Sequence, residues 1–219
     1  MKNASIDTTA GAAIYSKLFL SVYDFYVLGF SNTFVWRSPS RLILAFYNEH
    51  ISGRHLDVGV GTGFFLDKCQ FPVPHPRLAL VDLNPNSLQV TAQRLQRYHP
   101  ETYIANLLEP LPFQAAQFDS IALNYVLHCL PGTLRSKGVL FGNLKPLLNQ
   151  DGVIFGTTIL GAGVPKNFLA KILMRTYNSK GIFGNTYDHA ADLERVLKEN
   201  FHEYSIYIVG CVAFFAGRI

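Results

Sequence analysis

The chain has 219 residues, a length that suits one domain with a substantial hydrophobic core. Its 19 lysines and arginines only slightly exceed its 15 acidic residues, and it contains no basic run of the kind that binds nucleic acid. Cys69, Cys129 and Cys211 lie far apart, without C-x-x-C spacing, so neither a zinc site nor a disulfide framework is indicated. We expect no metal and a reducing, cytoplasmic location.

The first predicted element is a helix over residues 9–29, whose apolar stripe includes Ile14, Leu18 and Val22. Its other faces carry aromatic side chains, so this helix must be covered or must cover another part of the molecule. The apolar run is short for a membrane span and Asp24 interrupts it, which predicts no stable membrane insertion. The preceding residues lack the basic-then-apolar order of a signal peptide.

The stretch LDVGVGTGFFL at residues 56–66 predicts a buried strand, a tight turn and the start of a helix. Gly59, Gly61 and Gly63 allow positive φ and remove the Cβ atoms that would keep a ligand away from the backbone. The unpaired N–H groups of the helix start point into the same crevice. The carboxylate of Asp57 would repel a phosphate there but would attract a cationic amine.

The spacing of this loop differs from that of a dinucleotide-binding turn, which reads G-x-G-x-x-G and aims its helix start at a pyrophosphate. Here the glycines follow G-x-G-x-G, with Asp57 before them. The pattern D-x-G-x-G-x-G resembles the first motif of the class I S-adenosylmethionine-dependent methyltransferases, whose ligand carries an ammonium and a sulfonium group. The alternative is a glycine-rich turn in another kind of α/β protein.

A second motif follows, in which four apolar residues at 78–81 predict a buried parallel strand that ends at Asp82. In a doubly wound sheet, a carboxylate at this distance after the glycines binds ribose hydroxyls. The resemblance implies that Asp82 and the adjacent Leu83 contact the adenosine of the cofactor. The alternative is that Asp82 is an ordinary acid at the end of a strand.

A short third strand is predicted at residues 103–105, and after it the resemblance places an acidic residue that contacts the adenine amino group. Asn106 stands at this position instead. Its side-chain oxygen can still accept a hydrogen bond from an amine, so the role survives without the charge. Leu107 beside it, and Asn124 at the end of the fourth strand, complete the cofactor contacts that the resemblance implies.

The loop after the fourth strand, at residues 125–132, should face the methyl group, because ligands of open α/β sheets bind at the carboxyl ends of the strands. Its polar candidates are Asn124, Tyr125 and His128. His128 is either a general base or a side chain that only hydrogen-bonds to the backbone. The loop has no Asn-Pro-Pro-Tyr or Pro-Cys signature of base methylation and no flanking basic residues, so we expect no nucleic-acid partner.

Methyltransferases of this kind commonly form a lid from segments before the first strand. The resemblance therefore implies a helical lid at residues 1–38, with Tyr15 as a second catalytic candidate. Aromatic and polar residues of the lid and the loop are expected to bind the methyl acceptor: Tyr23, Tyr26, Trp36, Tyr125 and His128. Packing in the core is the alternative for the lid residues.

The predicted fold class is α/β, in one domain with a Rossmann-like core at residues 39–219. The resemblance implies a doubly wound seven-stranded sheet with the order 3-2-1-4-5-7-6. Its antiparallel last pair matches predicted strands at 204–209 and 211–216. A helix at 164–177 is predicted to turn four side chains inward: Phe168, Ile172, Leu173 and Thr176. The polar, glycine-bearing segment at 178–187 is predicted to be a mobile flap.

The leading function hypothesis is a methyltransferase that uses S-adenosylmethionine to methylate a small, aromatic or polyketide-like molecule. Its support is an aromatic load of 17 Phe and 11 Tyr, and motifs that resemble small methyltransferases of natural-product pathways. A second hypothesis keeps the cofactor without methyl transfer, as a cyclase-like catalyst or a ligand-binding regulator. A third is methylation of a macromolecule or a membrane-borne quinone. The expected partner is a small-molecule acceptor, and a homodimer stays open.

Overall fold

The computed structural model describes residues 24–111 and 117–219. In the first range, side chains are described from residue 29 onward. Tyr15 and Tyr23 of the predicted lid lie outside the described residues, as does the side chain of Tyr26.

Seven strands form the sheet of the described residues: β1 (Arg54–Val58), β2 (Arg77–Asp82), β3 (Glu101–Ile104), β4 (Phe118–Asn124), β5 (Leu148–Ile159), β6 (Glu203–Val209) and β7 (Val212–Arg218). Their order is β3-β2-β1-β4-β5-β7-β6. The first five run parallel to one another, and β7 is antiparallel to both β5 and β6. The predicted Rossmann-like fold and strand order are confirmed.

Helices cover both faces of the sheet: a π-helix (Asp24–Val35), α1 (Ser40–His50), α2 (Phe64–Lys68), α3 (Pro85–Arg94), α4 (Leu134–Lys137), α5 (Val139–Leu144), α6 (Phe168–Ser179) and α7 (Ala190–Asn200). Short 3-10 turns lie at Gln96–Tyr98, Leu127–Cys129 and Lys145–Leu147. Among the described residues, none of these helices combines the length and the apolar character that crossing a membrane requires.

The sheet is buried on both faces, as a mostly parallel sheet between helices must be. In β2 the four apolar residues at 78–81 are all buried, which is why this strand reads as a continuous apolar run. On one face, Phe46 of α1 packs on Phe155 of β5, with ring centroids 6.0 Å apart. On the other, Phe141 of α5 packs on Phe215 of β7 at 6.1 Å.

The helix predicted at residues 9–29 does not end at Gly29. The described part runs on to Val35 as a π-helix, and the N–H of Trp36 closes it with a hydrogen bond to the carbonyl of Ser31, five residues earlier (2.8 Å). Residues 36–39 then connect the π-helix to α1.

Helix α6 differs from its prediction in both start and rotation. It begins at Phe168, because the side chain of Asn167 accepts a hydrogen bond from the N–H of Ala170 (2.8 Å) and caps the first turn. The prediction that Phe168 and Ile172 face inward is wrong, since they are 75% and 45% exposed. Ala170 and Met174 are buried instead. Asn167 also donates to the backbone of the π-helix, which fixes the rotation of α6.

The segment at residues 178–187, predicted to be a mobile flap, is hydrogen-bonded to the body of the protein. Asn185 donates to a carbonyl at the end of β5 (2.8 Å). The buried ammonium of Lys137 donates to the carbonyl of Gly184 (2.8 Å) and pairs with the carboxylate of Asp188 (2.6 Å). Both charged side chains are almost fully buried, at 0% and 2% exposure.

Candidate active site

The glycine loop joins β1 to α2 and lines a cleft at the carboxyl ends of the strands. Gly59, Gly61 and Gly63 all have a left-handed backbone, with φ of 70°, 54° and 71°, a conformation that favours glycine. A Cβ atom would lie 2.5 Å from Val126 if placed on Gly59 and 2.6 Å from Thr91 if placed on Gly63. A Cβ on Gly61 would meet no atom of the described residues within 4 Å, so open space for a ligand lies in front of it.

Two polar side chains of the cleft suit the two ends of an amino acid. Asp57 of β1 is only 8% exposed, and the hydroxyl of Tyr47 donates to its carboxylate. Asn124 ends β4, and its Oδ1 accepts a hydrogen bond from Thr157 (3.0 Å). The Nδ2 of Asn124 is buried without a hydrogen-bond partner among the described residues. A carboxylate and an unpaired amide donor fit a zwitterion that carries one ammonium and one carboxylate.

Asp82 ends β2, the strand that lies beside β1 in the sheet. Its carboxylate accepts a hydrogen bond from the N–H of Asn84 (2.8 Å), and the backbone N–H groups of Gly61 and Leu83 also favour its charged form. Burial outweighs these bonds and raises the pKa of Asp82 to about 6. The carboxylate is therefore ionised at neutral pH and can accept hydrogen bonds from two hydroxyls.

Asn106 and Leu107 follow β3 at the same edge of the sheet, where the N–H of Ala105 donates to the carbonyl of Asp82 (3.3 Å). The Oδ1 of Asn106 accepts a hydrogen bond from the backbone N–H two residues later (3.1 Å). An amide oxygen has two lone pairs, so it can accept a further bond from an amine. The adenine contacts of Asn106 and Leu107 stay predictions.

Comparison with known proteins identifies relatives along almost the whole chain. Residues 56–154 match a family model described as a methyltransferase domain. The chain is 39% identical to demethylluteothin O-methyltransferase of Streptomyces thioluteus, over 92% of this chain and 88% of that protein. It is 43% identical to methyltransferase ctvB of Aspergillus terreus, over 93% of this chain and 92% of that protein. The chain belongs to the class I S-adenosylmethionine-dependent methyltransferases.

A solved structure supports the fold of this methyltransferase. The DhpI protein, in a complex with S-adenosylhomocysteine, has a TM-score of 0.66 and 14% identity over 96% of each chain. At this identity the likeness concerns the fold alone. It agrees with the sheet order described above.

The cofactor of the methyltransferase is S-adenosylmethionine, and residues in and beside the cleft have the groups that this molecule requires. Asp57 would hold its ammonium group, Asn124 Nδ2 its carboxylate and Asp82 its ribose hydroxyls. The glycine loop would let the cofactor approach the backbone closely, because no Cβ atoms stand in front of it. When bound, the cofactor supplies a methyl group on a sulfonium sulfur, which is already an activated electrophile. These residue assignments stay predictions.

Tyr125 lines the cleft of the methyltransferase. Its backbone is left-handed, with φ of 58°, a conformation that costs on the order of 1–3 kcal/mol for a residue other than glycine. Its hydroxyl donates to Asn32 of the π-helix (2.9 Å). The π-helix is thus tied to the loop where methyl transfer is expected.

His128 lies behind Tyr125, only 3% exposed, with its ring centroid 4.6 Å from that of Phe183. Its Nδ1 accepts a hydrogen bond from the N–H of Ile159 (3.3 Å), which places the proton of the neutral ring on Nε2. Burial, and next the charge of Lys137, lower the pKa of His128 to about 3. His128 therefore makes the hydrogen bond to the backbone that was one of its two predicted roles. Its lowered pKa makes it a weak base.

Trp36 lies on the other side of Phe183, with ring centroids 6.1 Å apart, and is 2% exposed. Its contacts are those of core packing, the alternative to its predicted role at the acceptor. The predicted roles of Tyr15, Tyr23 and Tyr26 fall on side chains outside the description and stay predictions.

The sequence interpretation missed Tyr47 and Phe183. Tyr47 belongs to the buried stripe of α1 and also lines the cleft. A single hydroxyl in the otherwise apolar run LILAFY was the available signal. Phe183 contacts the rings of Trp36, His128 and Tyr177, but it lies in the segment predicted to be a flap, and no motif marks it.

Proposed function

We propose that the methyltransferase transfers the methyl group to a phenolic or enolic hydroxyl of a small polyketide-type molecule. One relative is named an O-methyltransferase of demethylluteothin, which supports oxygen as the acceptor atom. The observation that carries the proposal is the state of His128 in the turn after β4, for which a general base was one of the two predicted roles.

Methyl transfer to a hydroxyl forms an O–C bond while the C–S bond breaks, the electron pair of that bond stays on sulfur, and the hydroxyl proton is released. An aliphatic alcohol needs a general base to take this proton. The buried imidazole of His128, with a pKa of about 3, is too weak a base to take a proton from an aliphatic alcohol. An ordinary phenol ionises only at about pH 10, but an enol or a phenol conjugated to a carbonyl is more acidic and needs less help. The hydroxyl of the proposed acceptor is therefore acidic enough to lose its proton without a strong base from the protein.

The protein's contribution is then mainly positioning, which can supply about 7–11 kcal/mol of the barrier. Tyr125, which we propose contacts the acceptor, is held by Asn32 of the π-helix (2.9 Å). Behind it, Phe183 contacts the rings of both His128 and Tyr177. Packed rings of this kind hold the loop that carries Tyr125 in one arrangement.

The test compares matched acceptors with the purified protein and S-adenosylmethionine. The panel contains an enolic hydroxypyrone, a phenolic hydroxyanthraquinone, the amino analogue of each and an analogue with a hydroxymethyl group. Mass spectrometry should find methylation of the phenolic and enolic oxygens only. Transfer to the amino analogues or to ring carbon would contradict the proposal. Tight cofactor binding without turnover on any member would instead favour a non-transferring, cofactor-binding protein.

The pH dependence provides an independent test. In a series of acceptors with different hydroxyl pKa values, the acidic limb of kcat/KM should move with the pKa of the acceptor. A limb that stays at one pH for every acceptor would reveal a base supplied by the protein.

A further inference from the structure

A chain of polar side chains is buried behind Asp57, between β1 and α1. Tyr47 is 1% exposed, and His55 and Ser120 are both 0% exposed. Buried polar groups are retained where their hydrogen bonds are satisfied, and a fully connected network fixes its members in one arrangement.

The contacts run without a break from Ser120 to the cleft. Ser120 Oγ accepts a hydrogen bond from the backbone N–H of Ser52 (3.0 Å) and lies 2.7 Å from His55 Nδ1. His55 Nε2 lies 3.2 Å from the hydroxyl oxygen of Tyr47, whose proton goes to Oδ2 of Asp57.

The end of this chain sets its direction. A carboxylate only accepts hydrogen bonds, so Tyr47 must be the donor to Asp57 and its oxygen must accept from His55 Nε2. His55 Nδ1 then accepts from Ser120. Burial and the neighbouring carboxylate raise the pKa of Tyr47 above its ordinary value, which keeps the phenol protonated as a donor. Each member therefore polarises the next toward Asp57.

We propose that Tyr47 is a positioning residue for the cofactor: it orients the carboxylate of Asp57 toward the amino-acid end of S-adenosylmethionine, and His55 with Ser120 holds Tyr47 in place. The torsion that turns a carboxylate is broad, so Asp57 alone would not keep one orientation. The proposal rests on the family's cofactor and not on the proposed acceptor, so its failure would leave the acceptor question untouched.

The decisive variant is Tyr47→Phe, which keeps the ring that stacks on Phe65 and packs on Phe155 but removes the hydroxyl. Two probes separate positioning from general damage. S-adenosylhomocysteine carries the amino-acid end, whereas methylthioadenosine shares its adenosine and sulfur but lacks that end. Calorimetry should show affinity for S-adenosylhomocysteine falling about tenfold or more, as expected for a lost charged hydrogen bond. Affinity for methylthioadenosine should stay unchanged.

Tyr207→Phe is the matched control, since it removes a phenolic hydroxyl from a ring that stacks on Phe214, on the same face of the sheet. It should leave both affinities unchanged. An equal loss of both affinities in Tyr47→Phe, or no loss of either, would overturn the proposal.

A double-mutant cycle checks the route of the effect. If Tyr47 acts through Asp57, then adding Tyr47→Phe to Asp57→Asn should cause no further loss of S-adenosylhomocysteine affinity. Full additivity would overturn the proposal. Should Tyr47→Phe fail to fold, Ser120→Ala removes a more distant member. It should weaken S-adenosylhomocysteine binding by a smaller factor than Tyr47→Phe and leave methylthioadenosine binding unchanged. Weaker binding of methylthioadenosine, or unchanged binding of S-adenosylhomocysteine, would contradict the proposal.

Discussion

Replacing Asp82 by Asn should stabilise the ligand-free protein while it weakens cofactor binding. Burial raises the pKa of this carboxyl from 3.8 to about 6, so keeping it ionised at neutral pH costs folding free energy. The change corresponds to about 3 kcal/mol as an upper limit. The hydrogen bond that the N–H of Asn84 donates to residue 82 survives in the variant, because an amide oxygen can accept it as well.

The sign of the pH dependence follows from linkage. Between pH 3.8 and about 6 the folded protein binds more protons at Asp82 than the unfolded chain does. The free energy of unfolding therefore falls as pH rises through this window and stays low above it. The advantage of Asp82→Asn should be full near pH 7.5 and about half as large near pH 5.

Thermal melts without ligand provide the assay. If Asp82→Asn raises the free energy of unfolding by about 3 kcal/mol, the melting temperature of a chain of this size should rise by about 6–12 °C. A smaller gain in free energy should raise it in proportion. Glu49→Gln is the control, because it removes an exposed carboxylate of α1 in place of a buried one. Calorimetry should find affinity for S-adenosylhomocysteine at least about tenfold weaker in Asp82→Asn. A variant that melts below the wild type at pH 7.5, or that binds normally, would refute the reasoning.

Gly59→Ala should lower the melting temperature more than Gly61→Ala, because only the Cβ on Gly59 meets a neighbour, at 2.5 Å. Gly61→Ala should chiefly weaken S-adenosylhomocysteine binding, and calorimetry on both variants separates these effects. Lys137→Met should lower the free energy of unfolding by about 3–5 kcal/mol, since it leaves Asp188 buried without its partner; urea denaturation with less than about 1 kcal/mol of loss would contradict this. His128→Gln should keep kcat on a phenolic acceptor within about threefold, whereas loss of a true base would cost about 10²–10⁴-fold.

The sheet and the cofactor side were predictable because their signals are local. A buried parallel strand needs a continuous apolar run, and residues 78–81 provide one directly before Asp82. The left-handed turns at Gly59, Gly61 and Gly63 need glycine at fixed spacing. Neither signal depends on contacts with distant parts of the chain.

The rotation of α6 could not be predicted, because its sequence carries apolar residues on most sides. The contact that decides it joins Asn167 to the carbonyl of Phe34, 133 residues earlier in the chain. The burial and the lowered pKa of His128 could not be predicted for the same reason. The sequence located His128 correctly in the loop after β4, but Phe183, which packs on it, and Lys137, which lowers its pKa, lie elsewhere in the sequence.

The buried pair of Lys137 and Asp188 has an evolutionary consequence. Losing either partner alone leaves an uncompensated charge at a cost of about 3–5 kcal/mol, while replacing both by apolar residues is often neutral. Domains have only about 5–15 kcal/mol of net stability to lose. Descendants of this sequence must therefore change both positions almost together, so we expect the two residues to covary, and the loop that they anchor to diverge slowly.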